Sequence, residues 1–172
     1  MSKLEATQLI PEALSFAASK QAASSGKASR HDLLEPLALA RILAVEGHIS
    51  NERTLAAAIL QSVLRQTRTK PAEIKKVFGP KIAQIVVEAA RHNGIGRRVI
   101  ANGVAKLSKP AKLIMLAENI ATLRHMATAA PKQLSARSRR AYFEKTKLAG
   151  KPLKKVHKRL GKVFAKACRP KP

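Results

Sequence analysis

The fold is decided by one stretch, AAILQSVLRQTRT, which covers residues 57–69. Ile59 and Leu64 continue a helical spacing that begins at Leu55, so the stretch predicts a helix with its apolar side chains on one face. Ser50 lies just before this run and is the predicted N-cap of the helix. The same spacing recurs along most of the chain.

Apolar residues fall at helical spacing in six further segments, which are separated by Gly, Pro and Ser. The first three segments, each with its apolar positions, are residues 4–23 with Leu9, Ala13, Phe16 and Ala17; a helix opening at Glu35-Pro36 and closing at Gly47, with Leu39, Ile42 and Leu43; and residues 71–78, ended by Gly79-Pro80, with Ile74, Val77 and Phe78. The other three are a helix from Pro80 with Ile82, Ile85, Val86 and Ala89; a helix from Ser108 and Pro110 with Ile114, Ala117, Ile120 and Leu123; and a helix after Pro131 with Tyr142 and Phe143. The apolar residues are mainly aliphatic, with four Phe, one Tyr and no Trp, which favours packed helices over strands. We predict an all-α fold.

Charge is the dominant feature of the composition. The 172 residues include 34 Lys and Arg against 10 Asp and Glu, a net charge of +24. Such a chain repels itself unless an anionic partner neutralises it, so the composition favours nucleic acid first and an anionic membrane surface second. No apolar run approaches the roughly 18 residues of a membrane-spanning helix, which excludes a transmembrane segment. The single cysteine, Cys168, cannot form an internal disulfide and indicates a reducing compartment. Lys166, Arg169 and Lys171 are expected to lower its pKa and to make it reactive if it is exposed.

The C-terminal segment differs from the rest of the chain. Residues 145–172 contain eleven Lys or Arg and no acid, yet their apolar residues keep helical spacing. This pattern predicts a basic amphipathic helix that docks its apolar side and exposes its cations. We therefore predict a helical domain over residues 1–145 and a basic tail over residues 146–172.

Five short motifs, in this order and spacing, resemble the HD-domain hydrolases of the RelA/SpoT type, including the small metazoan SpoT homologues. They are EPLALARIL (residues 35–43), AAILQS (57–62), FGPKIAQIV (78–86), SKPAKLIMLAENIATL (108–123) and AYFEK (141–145). The resemblance also includes the opening helix, and it covers residues 4 to 145. It implies an HD-type helical bundle.

In that family, two histidines and two aspartates hold a divalent ion, usually manganese, that activates water against a pyrophosphate ester. The resemblance places Glu35 at the first histidine, Gln61-Ser62 at the His-Asp pair and Glu118 at the last aspartate. A following pair of acids is replaced by Arg65-Gln66, which puts a cation where a divalent ion needs negative charge. We expect an ion pair between these carboxylates and Arg65 and predict no metal, no cofactor and no catalytic residues.

Basic residues without interleaved aromatic side chains predict contact with phosphates and not stacking on bases. The candidate nucleic-acid-binding residues are Arg97, Arg98, Arg137, Arg139, Arg140, Lys151, Lys154, Lys155, Lys158, Arg159, Lys162, Lys166 and Arg169.

From charge, lost ligands and small size, the sequence predicts a structural, non-catalytic RNA-binding protein on an inactivated HD fold. The expected partners are rRNA and neighbouring ribosomal proteins, without a small-molecule substrate. The expected location is the mitochondrial ribosome, with the cytoplasm as the alternative. Two other functions stay open: a divergent (p)ppGpp or nucleotide pyrophosphohydrolase, and a regulatory pseudoenzyme that binds a nucleotide.

Overall fold

The structure, a computed structural model, describes residues 5–25, 30–91, 104–128 and 135–169. Within these ranges it contains helices and no strand. The helices are α1 (Ala6–Ser25), α2 (Arg30–Arg41), α3 (Glu52–Gln66), α4 (Pro71–Arg91), α5 (Lys109–Thr128), α6 (Ala136–Gly150) and α7 (Lys158–Ala167), and a π-helical turn over Ile42–Glu46 extends α2. The prediction of an all-α fold is confirmed.

Contacts divide the chain into two compact units, Met1–Asn93 and Gly94–Pro172. In the first unit α3 is the central helix and contacts α1, α2 and α4. Ten consecutive residues of α3, Thr54 to Val63, are buried, which is typical of a helix covered on every side. The sequence predicted a single apolar stripe here. The small side chains of Ala56, Ala57 and Ala58 let the neighbouring helices approach closely on the faces that the stripe leaves open.

Two helix starts differ from the prediction. The N-cap of α3 is Asn51, whose Oδ1 accepts a hydrogen bond from the Thr54 amide at 3.0 Å, and not the preceding Ser50. Helix α2 begins at Arg30 and contains Pro36, whereas Glu35-Pro36 was expected to open it. A proline inside a helix costs about 3 kcal/mol or more, because it removes a backbone donor and its ring crowds the preceding turn. Packing of the buried side chains of Leu39 and Leu43 offsets this cost. Gly47 closes the segment as predicted, because its amide donates to the carbonyl of Ile42 at 2.8 Å.

Helix α4 is broken at Gly79, which confirms the break predicted from Gly79-Pro80. Gly79 has φ +81° and ψ 169°, a conformation that side chains with a Cβ rarely adopt. Both halves are buried at the predicted positions, with Ile74 before the break and Ile82 and Val86 after it.

In the second unit α5 contacts α6 and α7. The predicted stripe of α5, Ile114, Ala117, Ile120 and Leu123, is fully buried. The C-terminal segment is not one helix: a turn over residues 151–156 separates α6 from α7, and the His157 side chain caps α7. Leu153, Leu160 and Phe164 are buried, so the predicted docking of the apolar side is confirmed for this segment. The domain boundary at residue 145 stays a prediction.

Candidate functional site

A hydrogen-bonded chain of four polar side chains joins three helices of the first unit. Arg65 Nη2 donates to Glu35 Oε1 at 2.9 Å, and Gln66 Nε2 donates to Glu35 Oε2 at 3.0 Å. Gln21 Nε2 in turn donates to Gln66 Oε1 at 3.0 Å. Glu35 belongs to α2, Gln21 to α1, and the other two residues to the end of α3. The expected ion pair between Glu35 and Arg65 is therefore present, and it is half-buried. These four residues are called the polar network below.

Gln61 and Ser62 lie in the buried middle of α3. Ser62 Oγ donates to the carbonyl of Ile59 at 3.0 Å, an interaction within the helix. Gln61 is fully buried, and neither its Oε1 nor its Nε2 has a hydrogen-bond partner in the structure. A buried amide without partners costs about 1–3 kcal/mol of stability. Glu118, the remaining position of the resemblance, lies partly buried on α5 in the second unit.

The described residues of the first unit do not fit a divalent metal ion. Both carboxylate oxygens of Glu35 already accept hydrogen bonds from Arg65 and Gln66. A second cation 4 Å from the guanidinium of Arg65 would be repelled by about 4 kcal/mol per unit charge at an effective dielectric constant of 20. Among the described residues, no group of three or more His, Cys, Asp or Glu could hold a metal ion.

A polar cleft of about 520 Å³ lies at the ends of α1 and α3, beside the polar network. Its lining residues are Lys20, Ala23, Ser24, Thr67, Arg68, Thr69 and Glu73. Thr67 and Thr69 are held together through their hydroxyl groups, 2.7 Å apart, and Thr67 Oγ1 also lies 2.7 Å from the carbonyl of Val63. These bonds use the hydroxyl protons of both threonines and brace the backbone. The cleft presents the cations Lys20 and Arg68 on this braced backbone, which suits a phosphorylated ligand.

Lys20 and Glu73 form the ion pair of this cleft, at 2.5 Å between Nζ and Oε2. Hydrogen bonding by Lys20, and then by the backbone amide of Lys70, lowers the pKa of the Glu73 carboxyl below its ordinary value. Glu73 is therefore ionised at neutral pH and orients the Lys20 ammonium group.

The sequence missed this cleft. Lys20 is 53 positions from Glu73 along the chain, so no local pattern joins them. The resemblance places the family's phosphate-binding cluster at SSGKASR (residues 24–30), which the sequence favoured as an ordinary solvated loop, and Ser24 of this segment lines the cleft. A further signal was TRTKPAE (residues 67–73), in which hydroxyl and basic residues directly follow α3.

The predicted nucleic-acid-binding residues are scattered over the second unit. Arg97 and Arg98 lie outside the described residues. Arg137, Arg139 and Arg140 lie on the first turns of α6; Lys151, Lys154 and Lys155 on the following turn; and Lys158, Arg159, Lys162, Lys166 and Arg169 on or just after α7. Most of these side chains are exposed, and Arg139 is half-buried.

The expectation for Cys168 is wrong. Burial raises the pKa of its thiol, and this desolvation outweighs the opposing effect of nearby lysines, among them Lys147 and Lys151. Sequence proximity to cations indicated the reverse because it does not report desolvation.

Comparison with known proteins decides the family. The model of the HD domain family matches residues 13–144. The chain belongs to the HD-domain family. The resemblance to the RelA/SpoT type is confirmed as well, because this HD-domain protein superposes on a solved structure described as a metazoan ortholog of SpoT that hydrolyzes ppGpp and plays a role in starvation responses. The TM-score is 0.81 at 25% sequence identity, covering 98% of this chain and 97% of that one.

Curated relatives are similar over most of the HD-domain chain. The guanosine-3′,5′-bis(diphosphate) 3′-pyrophosphohydrolase of Danio rerio is 29% identical over 144 residues, 80% of each chain. The protein of the same name from Xenopus tropicalis is 31% identical over 142 residues, 79% of each chain, and that from Homo sapiens is 30% identical over 146 residues, 81% of each chain.

These relatives overturn several predictions. The interpretation as a structural RNA-binding subunit of a ribosome is wrong, as are the assignments as a non-enzyme and as a protein without a small-molecule substrate, because the relatives are named for hydrolysis of a nucleotide. The error came from net charge, a property that many unrelated proteins share. No described helix is long and apolar enough to cross a membrane.

Proposed function

We propose that this HD-domain protein hydrolyses a guanosine nucleotide that carries a 3′-diphosphate. The observation that supports this proposal is the similarity, over about 80% of the chain, to proteins named as guanosine-3′,5′-bis(diphosphate) 3′-pyrophosphohydrolases. This was the alternative to the ribosomal interpretation.

The cleft supports the proposal by its size and lining. At about 520 Å³ it lies within the range of small-molecule sites, roughly 300–1,000 Å³. Lys20 and Arg68 offer positive charge, and Ser24 offers a hydroxyl group. A diphosphate needs both kinds of group, because its oxygens accept charge-assisted hydrogen bonds.

In the proposed reaction one water is consumed. Its oxygen bonds to the phosphorus next to the ribose as the bond between that phosphorus and the ribose 3′-oxygen breaks. The water releases one proton to solvent, and the ribose 3′-oxygen takes up a proton. Lys20 and Arg68 stabilise the negative charge that develops on the phosphate oxygens. Glu73 positions Lys20 and is a weak base, because hydrogen bonding to Lys20 holds its pKa low.

The test is incubation of the purified chain with guanosine 3′,5′-bis(diphosphate), with chromatography of the released pyrophosphate. Arg68→Gln is expected to weaken nucleotide binding about 10- to 150-fold, because one charge-assisted hydrogen bond of about 1.5–3 kcal/mol is lost. The matched control is Lys75→Gln, an exposed cation on α4 that does not line the cleft. A wild-type chain that does not cleave the nucleotide would refute the proposal, whether or not it binds it. The mitochondrial location stays a prediction.

A further inference from the structure

We infer that the guanidinium of Arg65 is the resident cation of this site, in place of a divalent metal ion, so that the phosphorylated ligand is bound without a metal. The part that concerns the ligand rests on the proposed function. The part that concerns the metal stands on the polar network alone.

The first observation that supports the inference is that both oxygens of the Glu35 carboxylate already accept hydrogen bonds. Glu35 is the one carboxylate that the polar network contains, and its two oxygens accept from Arg65 at 2.9 Å and from Gln66 at 3.0 Å. Each oxygen keeps a second lone pair, but a metal ion bound there would lie beside the guanidinium of Arg65 and be repelled by it. The guanidinium cannot become neutral to reduce this repulsion, because arginine stays protonated in proteins.

The second support is that the network is braced from another helix. Gln21 on α1 donates to Gln66, which fixes the amide of Gln66 with its nitrogen toward Glu35. Three helices therefore hold the Glu35–Arg65 pair in place. A surface ion pair formed by chance would be held by its two residues only.

The third support comes from the positions that precede Arg65 on α3. Gln61 and Ser62 stand where the resemblance places a histidine and an aspartate. The Ser62 hydroxyl is engaged by the Ile59 carbonyl, and Gln61 carries a neutral amide. Neither side chain supplies the anionic or imidazole ligand that a divalent transition metal prefers.

Arg65 is also close to the cleft along the chain. Thr67, Arg68 and Thr69 come two to four positions after it, and Gln21 of the network is adjacent to Lys20 of the cleft. Arg65 does not line the cleft, but its side chain is 27% exposed. Lys20 and Arg68 are expected to contact the diphosphate, and Arg65 is expected to add to the positive field around it.

Manganese titration of the full wild-type chain by calorimetry tests the metal part. No binding is expected at manganese concentrations up to about 1 mM. This is about a thousandfold above the dissociation constant of a micromolar site. The melting temperature is expected to be the same in EDTA and in manganese. Stoichiometric binding of manganese in the micromolar range would overturn the inference.

A variant that is designed to bind manganese provides the second test of the metal part. The variant Glu35→His, Gln61→His, Ser62→Asp, Arg65→Gln restores imidazole and carboxylate groups and removes the cation. If it keeps the helical circular dichroism of the wild type, it is expected to gain micromolar manganese affinity. A folded variant without affinity would show that these four residues do not decide metal exclusion, which contradicts the inference.

Nucleotide binding tests the remaining part. The affinity for guanosine 3′,5′-bis(diphosphate) is expected to be equal in EDTA and in manganese, and to fall about tenfold in Arg65→Gln. Arg53→Gln, an exposed cation on the same helix, is the control and should bind as the wild type does. Binding that requires manganese would overturn the inference. Absence of nucleotide binding in every buffer would instead refute the proposed function, while the manganese titration would still decide the metal part.

Discussion

At the scale of single residues, the middle of α3 contains a polar side chain that the fold does not satisfy. Gln61 is fully buried and its amide has no partner, whereas neighbouring Ser62 donates to the Ile59 carbonyl. Two adjacent polar residues of one helix therefore have different energetic consequences. The difference depends on tertiary packing and is not visible in the pair Gln-Ser itself.

Replacing Gln61 by Met should stabilise the protein. The change removes a buried amide without partners and keeps the side-chain volume, so the free energy of unfolding is expected to rise by about 1 kcal/mol. Urea denaturation measures it. Ser62→Ala is the comparison and should be neutral or destabilising by up to about 1 kcal/mol, since it removes a hydrogen bond that is made. Clear destabilisation by Gln61→Met would mean that the amide has a partner in solution.

Glu73 makes a contribution to the stability of the fold that depends on pH. Because its folded-state pKa is lowered by Lys20, its stabilising effect is present above the unfolded-state pKa near 4.5 and is lost as pH falls through the lower folded-state value. The melting temperature of Glu73→Gln should therefore lie below that of the wild type at pH 7 and converge with it in acid. Glu12→Gln, at an exposed position of α1, should show no such convergence. A difference that grows toward low pH would contradict the assignment.

At the scale of helices, the second unit depends on close contact between α6 and α7. A Cβ built on Gly150 would overlap the ring of Phe164, so the last turn of α6 has room for a hydrogen atom only. Phe164 is buried and belongs to the apolar side that the basic segment docks. This contact explains how a segment rich in lysine becomes part of a packed unit.

Gly150→Ala is expected to destabilise the protein by about 1–3 kcal/mol, since the added methyl group must displace a buried ring. Thermal denaturation followed by circular dichroism measures the loss. Phe164→Leu in the same chain should recover part of it, so that the double variant is more stable than the sum of the single changes predicts. Simple additivity would show that the overlap with Phe164 is not the cause.

At the scale of the whole molecule, two electrostatic effects oppose each other. The net charge of +24 destabilises the folded chain by repulsion, while ion pairs such as Lys20–Glu73 and Arg65–Glu35 stabilise it. A partly exposed pair contributes only about 0–1 kcal/mol. With 34 cations against 10 acids, repulsion is expected to dominate.

Salt should therefore raise the melting temperature. Between about 20 and 300 mM NaCl the screening length falls to less than about 10 Å, which weakens repulsion between surface cations more than half-buried pairs. Replacing Lys154, Lys155, Lys158 and Lys162 by Gln should flatten this dependence, because all four positions are exposed. A melting temperature that falls with salt would show that the ion pairs outweigh the repulsion.

The sequence by itself determined the helical class, the break at Gly79, the buried stripe of α5 and the family. These features depend on the spacing of apolar residues and on glycine and proline, which act over a few positions of the chain. The order of the motifs also predicted an ion pair between Glu35 and Arg65. Net charge indicated the wrong function, because it describes the surface and not a site.

The contacts between side chains that are far apart in the sequence became known from the tertiary structure alone. It assigned Gln66 and Gln21 to the network around Glu35, brought Lys20 to Glu73 to form the cleft, and left Gln61 without a partner. It also raised the pKa of the Cys168 thiol by burial, against the effect of its cationic neighbours. Hydrogen-bond partners and desolvation depend on positions far apart in the chain, so no local pattern could have predicted them.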